Sequence, residues 1–121
     1  MNKKTKILYI DDEPFNCMLF KETFNDEYAV YTAHSGNEGL KILSEIKEIH
    51  IVISDMRMPI MNGLEFITMA KQEFPEKKYF ILTGNEISQE MRQAIQNKLI
   101  IKYFQKPLDS HNIKKAINAT I

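Results

Sequence analysis

Ile7–Asn16 reads ILYIDDEPFN: four apolar residues run straight into Asp11, Asp12 and Glu13, with no cation beside them. A continuous apolar run suits a strand buried on both faces, and Pro14, with its fixed φ, suits the first turn of a helix. The stretch therefore predicts a strand that passes through an acidic turn into a helix. It also poses a question, because a buried strand here ends in concentrated negative charge.

The same alternation recurs along the chain. Further strands are predicted at Tyr28–Ala33, His50–Ser54, Lys78–Thr83 and Ile100–Phe104, each rich in Ile, Val, Leu, Tyr or Phe. The first helix, from Pro14, carries Phe15, Met18, Leu19 and Glu22 at mixed three and four spacings. A second runs from about Gly36 to Ile46, with Leu40, Leu43 and Ile46 on one side. Gly63 opens a third, whose apolar residues are Leu64, Ile67, Met69 and Ala70 and which Phe74 and Pro75 end. The fourth spans roughly Glu86 to Asn97, with Ser88 as a cap and Met91, Ala94 and Ile95 inward. The last covers about Asp109 to Ala119, with Ile113, Ala116 and Ile117 inward. Strict βα alternation predicts an α/β, doubly wound fold: a parallel sheet with helices on both faces, in one domain spanning 1–121.

Composition supports that reading. A chain of 121 residues has the length of one domain. Sixteen basic and sixteen acidic residues cancel, so no overall field draws in nucleic acid or an anionic membrane, and neither is expected as a partner. Lys3, Lys4 and Lys6 precede an apolar run too short for a signal peptide. The lone Cys17 fits a reducing compartment, and a cytoplasmic protein is expected.

In open parallel sheets, ligands sit beyond the carboxyl ends of the strands. At those ends stand Asp11 and Asp12, Asp55, Thr83 and Lys106. Carboxylates gathered there repel one another by about 4 kcal/mol per pair at ~4 Å and an effective dielectric near 20. A hard divalent cation offsets that cost, and Mg2+ takes oxygen ligands from one or two carboxylates together with water and phosphate oxygens. Lys106 adds positive charge and Thr83 a hydroxyl. Together these groups suit a phosphoryl site in which a carboxylate is itself the nucleophile.

The acid pair Asp11-Asp12, the run SDMRMPIMNG around Asp55, the pair Thr83-Gly84 and the segment YFQKP ending in Lys106-Pro107 resemble the receiver domain of two-component response regulators. The resemblance covers essentially the whole chain, with all four motifs in order. It implies the CheY-like, flavodoxin-like (βα)5 sandwich with strand order 2-1-3-4-5. It implies Asp55 as phosphoacceptor, and Mg2+ held by Asp12 directly, by Asp11 largely through water, by Asp55 and by the backbone carbonyl of Arg57. Lys106 would contact the phosphoryl oxygens, and its bond to Pro107 would be cis. Thr83 and Tyr103 would form a switch pair with its outlet on the face of helix 4, strand 5 and helix 5. Arg57 and Asn85 would flank the phosphoryl group and set its lifetime.

A histidine kinase or phosphotransfer protein is the implied donor, and a downstream protein the implied receiver of the signal. Phosphorylation-dependent homodimerisation through helices 4 and 5 stays open. No output domain is expected in this chain, which is therefore not expected to read DNA itself. It would act through protein contacts, pass phosphate along a relay, or form the receiver part of a longer protein. On this reading it transforms no metabolite and is not an enzyme beyond its own phosphorylation and dephosphorylation.

Two departures from the family pattern stand out. Asn62 occupies a position that is often Asp, and NKLIIKYF (Asn97–Phe104) lacks the small Gly-Ala pair that often precedes the last strand. Simpler accounts exist for single residues: Asp11 and Asp12 as helix caps, Asp55 and Lys106-Pro107 as turns, Thr83 as a β-branched strand end, and Tyr103 as static core. Their coincidence at one sheet edge favours the phosphoryl site. Met56, Met58 and Met61 read as packing, His34, His50 and His111 lack metal-ligand spacing, and Cys17 reads as a small hydrophobe. An aspartyl phosphohydrolase would want an acid two residues after its nucleophile, where Arg57 stands. A flavin or nucleotide module would want a phosphate-cradling loop in place of Asp-Asp-Glu-Pro.

Overall fold

The computed structural model describes residues 3–121. Five strands alternate with five helices: β1 (Lys6–Ile10), α1 (Pro14–Phe24), β2 (Ala29–Ala33), α2 (Gly36–Glu45), β3 (Ile49–Asp55), α3 (Gly63–Glu73), β4 (Lys78–Thr83), α4 (Gln89–Gln96), β5 (Lys102–Gln105) and α5 (Ser110–Asn118). The strands pair in parallel, as the alternation predicts, in the order β2-β1-β3-β4-β5 that the family resemblance implies. Order reverses between β1 and β3, so the crevice beyond their carboxyl ends is the place for a ligand.

Period-two alternation gives the sheet two dry faces. Leu8 and Ile10 of β1, with Val52 and Ile81, face the α2, α3 and α4 side, where Leu43, Phe66, Ile67 and Met91 meet them. Ile7 and Tyr9, with Ile51, Ile53 and Phe80, face α1 and α5, which contribute Phe20, Phe24, Ile113 and Ile117. Aromatic rings thread this second core: Tyr9 stacks on Phe20, which meets Phe24, which meets Tyr28.

That ladder decides how α1 sits. The helix buries Cys17, Phe20 and Phe24, whereas the apolar residues at mixed spacing point outward, Phe15 63% and Met18 53% exposed. Two large rings against the sheet bury more apolar area than the alternative face. In the same way α3 buries Phe66 and leaves Met69 exposed.

Two strand boundaries differ from the sequence expectation in ways that bear on the site. Strand β3 reaches Asp55, which pairs with Leu82, so this acid closes the strand rather than following it. Strand β5 begins at Lys102, not Ile100, because the N–H groups of Leu99 and Ile100 both donate to the carbonyl of Ala94 and complete the end of α4. Lys98 supplies the left-handed residue of that ending, at φ 63°. Ile100 is buried and Ile101 exposed, so the bulk in place of Gly-Ala is divided between core and surface.

The loop from β3 to α3 carries the tightest constraints. Gly63 starts α3 against the end of β3: a Cβ there would overlap the Asp55 carbonyl oxygen and crowd Ile81. Asn62 caps the helix with a reciprocal box, its side chain accepting from the Glu65 N–H while Glu65 accepts from the Asn62 N–H. Ile60 sits at φ 71° and 96% exposed, a costly backbone region for a β-branched residue with no burial to offset it. Opposite effects on stability are predicted: Gly63→Ala loses about 1–3 kcal/mol through overpacking, and Ile60→Gly gains about 1 kcal/mol, both read from urea unfolding.

Candidate functional site

Strand geometry gathers the acids. Tyr9 and Asp11 are two residues apart at the end of β1, Ile53 and Asp55 two apart in β3, and Phe104 and Lys106 two apart at the end of β5. Each polar residue thus continues the row whose apolar members face α1 and α5. The result is a charged rim directly above one of the two cores.

One carboxylate oxygen each from Asp11, Asp12 and Asp55 lies within 4.8 Å of the others. Asp11 and Asp55 are buried and Asp12 is half-buried. Lys106 places its Nζ 3.0 Å from Asp55 Oδ1 and 3.8 Å from Asp11 Oδ2. One ammonium therefore faces three carboxylates. The donor set is hard oxygen, and the excess negative charge is what a divalent cation such as Mg2+ neutralises, so the residues present fit such an ion.

Asp11 is held at both oxygens. Oδ1 accepts the Glu13 N–H at 3.0 Å, and Oδ2 accepts the hydroxyl of Tyr9 at 2.7 Å. Glu13, not either aspartate, is the N-cap of α1, and its side chain makes no capping bond. Capping therefore does not account for the acid pair. Thr83 is buried at the end of β4; its hydroxyl oxygen accepts the Asn85 N–H at 3.2 Å, and its carbonyl accepts the Lys106 N–H at 2.8 Å. The second of these bonds ties the β4 and β5 ends together beside Asp55. The Lys106-Pro107 bond is cis.

The remaining predicted residues stand further out. Arg57 and Asn85 are exposed in the loops after β3 and β4, and Tyr103 is half-buried on β5 against the α2, α3 and α4 core. Cys17 is buried, its thiol facing the carbonyls of Asp11 and Ala33, and burial pushes its pKa up to about 11, so it is no thiolate. One residue of the site escapes the motif reading, Tyr9. Its signal was present: a hydroxyl-bearing ring in an otherwise aliphatic strand, two positions before an acid. Burial, and after it the charge of Asp11, pushes the Tyr9 phenol well above its usual range, so it stays a donor.

Burial also raises the pKa of Asp55, against the opposing pull of its hydrogen bond with Lys106. The native state thus holds the Asp55 proton more tightly than the unfolded chain. Ionisation consequently costs stability: the cost is absent below about pH 3.9, the ordinary aspartate value, and grows as pH rises through the native pKa. In EDTA at neutral pH, Asp55→Asn is predicted to be more stable than the wild type in urea unfolding, with the gap closing on acidification.

Comparison with known proteins agrees with this geometry. The family model described as response regulator receiver domain matches residues 7–118. The transcriptional regulatory protein GlrR of Escherichia coli is 31% identical over 118 residues, which is 97% of this chain and 26% of that protein. The chain spans about a quarter of the length of the first curated relatives it matches. Among solved structures, a response regulator receiver domain protein from Clostridium thermocellum superposes with a TM-score of 0.84 at 34% identity, covering 95% of this chain and 92% of that one. The response regulator TrrA of Thermotoga maritima, solved in complex with Mg2+ and BeF, gives a TM-score of 0.83 at 27% identity, covering 97% and 99%. A matching family model over nearly the whole chain, on a sheet whose carboxyl edge gathers three aspartates and a lysine, means that this chain belongs to the response regulator receiver domains of two-component systems.

Proposed function

We propose that Asp55 is the phosphoacceptor of this receiver and that its phosphorylation, with Mg2+ bound, switches the face built from α4, β5 and α5. The observation that carries the reading is the Lys106 Nζ 3.0 Å from Asp55 Oδ1, beside two further carboxylates whose oxygens lie within 4.8 Å. Receiver domains are signalling domains and exchange phosphoryl groups with histidine kinases and phosphotransfer proteins. The donor here is a protein of that kind, the signal passes to a downstream protein, and the setting is cytoplasmic.

The reaction follows from the groups present. An Asp55 carboxylate oxygen attacks the phosphorus of the donor, the bond from phosphorus to the donor's leaving atom breaks, and an aspartyl phosphate remains. Asp12, Asp55 and the Arg57 carbonyl, with Asp11 largely through water, would hold Mg2+, which when bound would offset charge on the phosphoryl oxygens. Lys106, already on Asp55, needs only a small shift to follow the transferred group. The Thr83 oxygen accepts from Asn85, which leaves its own proton free to donate to a phosphoryl oxygen. Movement of Thr83 opens room for Tyr103, a population shift between two packings of one fold. Arg57, exposed and planar-forked, either pairs with the phosphoryl oxygens or screens them from water.

Incubation with acetyl phosphate and Mg2+ is predicted to add one phosphoryl group by intact mass, and to add none in Asp55→Asn or in EDTA. An adduct on Asp55→Asn, or failure of the wild type to bind beryllofluoride with Mg2+, overturns the assignment. Once the adduct is formed, Arg57→Asn is predicted to alter its hydrolysis rate, and an unchanged half-life removes Arg57 from the lifetime machinery.

A further inference from the structure

Tyr9 lies wholly in the core, yet its only polar atom serves the charged rim. The ring is parallel to that of Phe20, with centroids 4.1 Å apart and planes within 1°, so the phenol has little freedom to turn. Its hydroxyl donates to Asp11 Oδ2 at 2.7 Å, while the backbone N–H of Glu13 holds Oδ1. Asp11 is the most buried of the three acids, with both oxygens fixed by donors that are themselves immobile. A second consequence concerns Lys106. With Oδ2 of Asp11 already occupied, the ammonium lies 3.8 Å from it and 3.0 Å from Asp55.

We propose that Tyr9 is a positioning residue of the metal and phosphoryl site: its hydroxyl sets the orientation of the Asp11 carboxylate toward Mg2+ and leaves Lys106 to Asp55. This inference rests on the proposed role of the acid pair in metal binding. Mg2+ demands a near-ideal octahedron and keeps several waters, so an acid that acts through water must present its free lone pairs in one direction. Groups that orient metal ligands from behind typically cost 10–100-fold in metal affinity when removed. Ca2+ accepts a looser shell and depends less on orientation. Core filling alone makes a different prediction, because phenylalanine keeps the ring and its stacking on Phe20. Charge compensation alone predicts the opposite sign, because an acid deprived of a donor attracts every divalent cation more strongly.

The test is calorimetric titration of Mg2+ and Ca2+ into the wild type, Tyr9→Phe, Asp11→Asn and the double variant, with urea unfolding in EDTA as the check on folding. The amide oxygen of Asp11→Asn still accepts the Tyr9 hydroxyl, so that variant reads the coupling from the other partner. Tyr9→Phe is expected to raise the Mg2+ dissociation constant about tenfold, to change that for Ca2+ by a smaller factor, and to add nothing in the Asp11→Asn background. Equal Mg2+ affinity in wild type and Tyr9→Phe, equal shifts for the two ions, or additive effects in the double variant each overturn the role of Tyr9 while leaving the metal site standing. A wild type that binds no Mg2+ overturns the metal site itself, and the role of Tyr9 with it.

Discussion

Three carboxylates and one ammonium share the carboxyl edge of the sheet, and that imbalance of charge is the constraint around which the rest of the molecule is arranged. Like charges so close in a partly dry site are costly. The fold tolerates them because each acid lies at the end of a strand anchored by parallel pairing on both sides: β1 between β2 and β3, and β3 between β1 and β4. Burial first, and the charge of Asp11 after it, raise the pKa of Asp55 against the pull of Lys106.

The neighbouring core is built to hold that rim still. Tyr9, Phe20, Phe24 and Tyr28 form a run of ring contacts between β1 and α1, and Phe80 stacks near Phe104 beneath the β4 and β5 ends. Aromatic rings bring large buried area with few rotatable bonds, so they fix the strand ends at modest entropic cost. The other face relies on aliphatic side chains and two close-packed glycines, Gly36 and Gly39, set against Met61 and Phe66. On this face Tyr103 is half-buried and packs against the aliphatic core.

Much of this was legible in the residues. Alternation of apolar runs with helical periodicity gave five strands and five helices in the observed order, because burial on both faces leaves a continuous apolar signature that little else produces. The site was legible as well, since chemistry at strand ends follows from the parallel architecture: Asp11, Asp12, Asp55 and Lys106 meet as their positions imply. Less legible were the helix faces. Phe15, Met18 and Leu19 have a spacing that could line a core, but the choice between them and Cys17, Phe20 and Phe24 depends on which side chains fit the sheet opposite.

Sequence by itself thus determined the class of fold, the order of its elements and the identity of the polar groups at the rim, all properties of period and position along one strand. Tertiary structure alone decided the rest. It set the pairing of Lys106 with Asp55 in preference to Asp11, the backbone ending of α4 that delays β5 to Lys102, and the hydroxyl of Tyr9 on Asp11. Each of these depends on distances between segments far apart in the chain or on a side chain's choice among partners. Such choices are settled by packing, and packing is not written in the local periodicity of the chain.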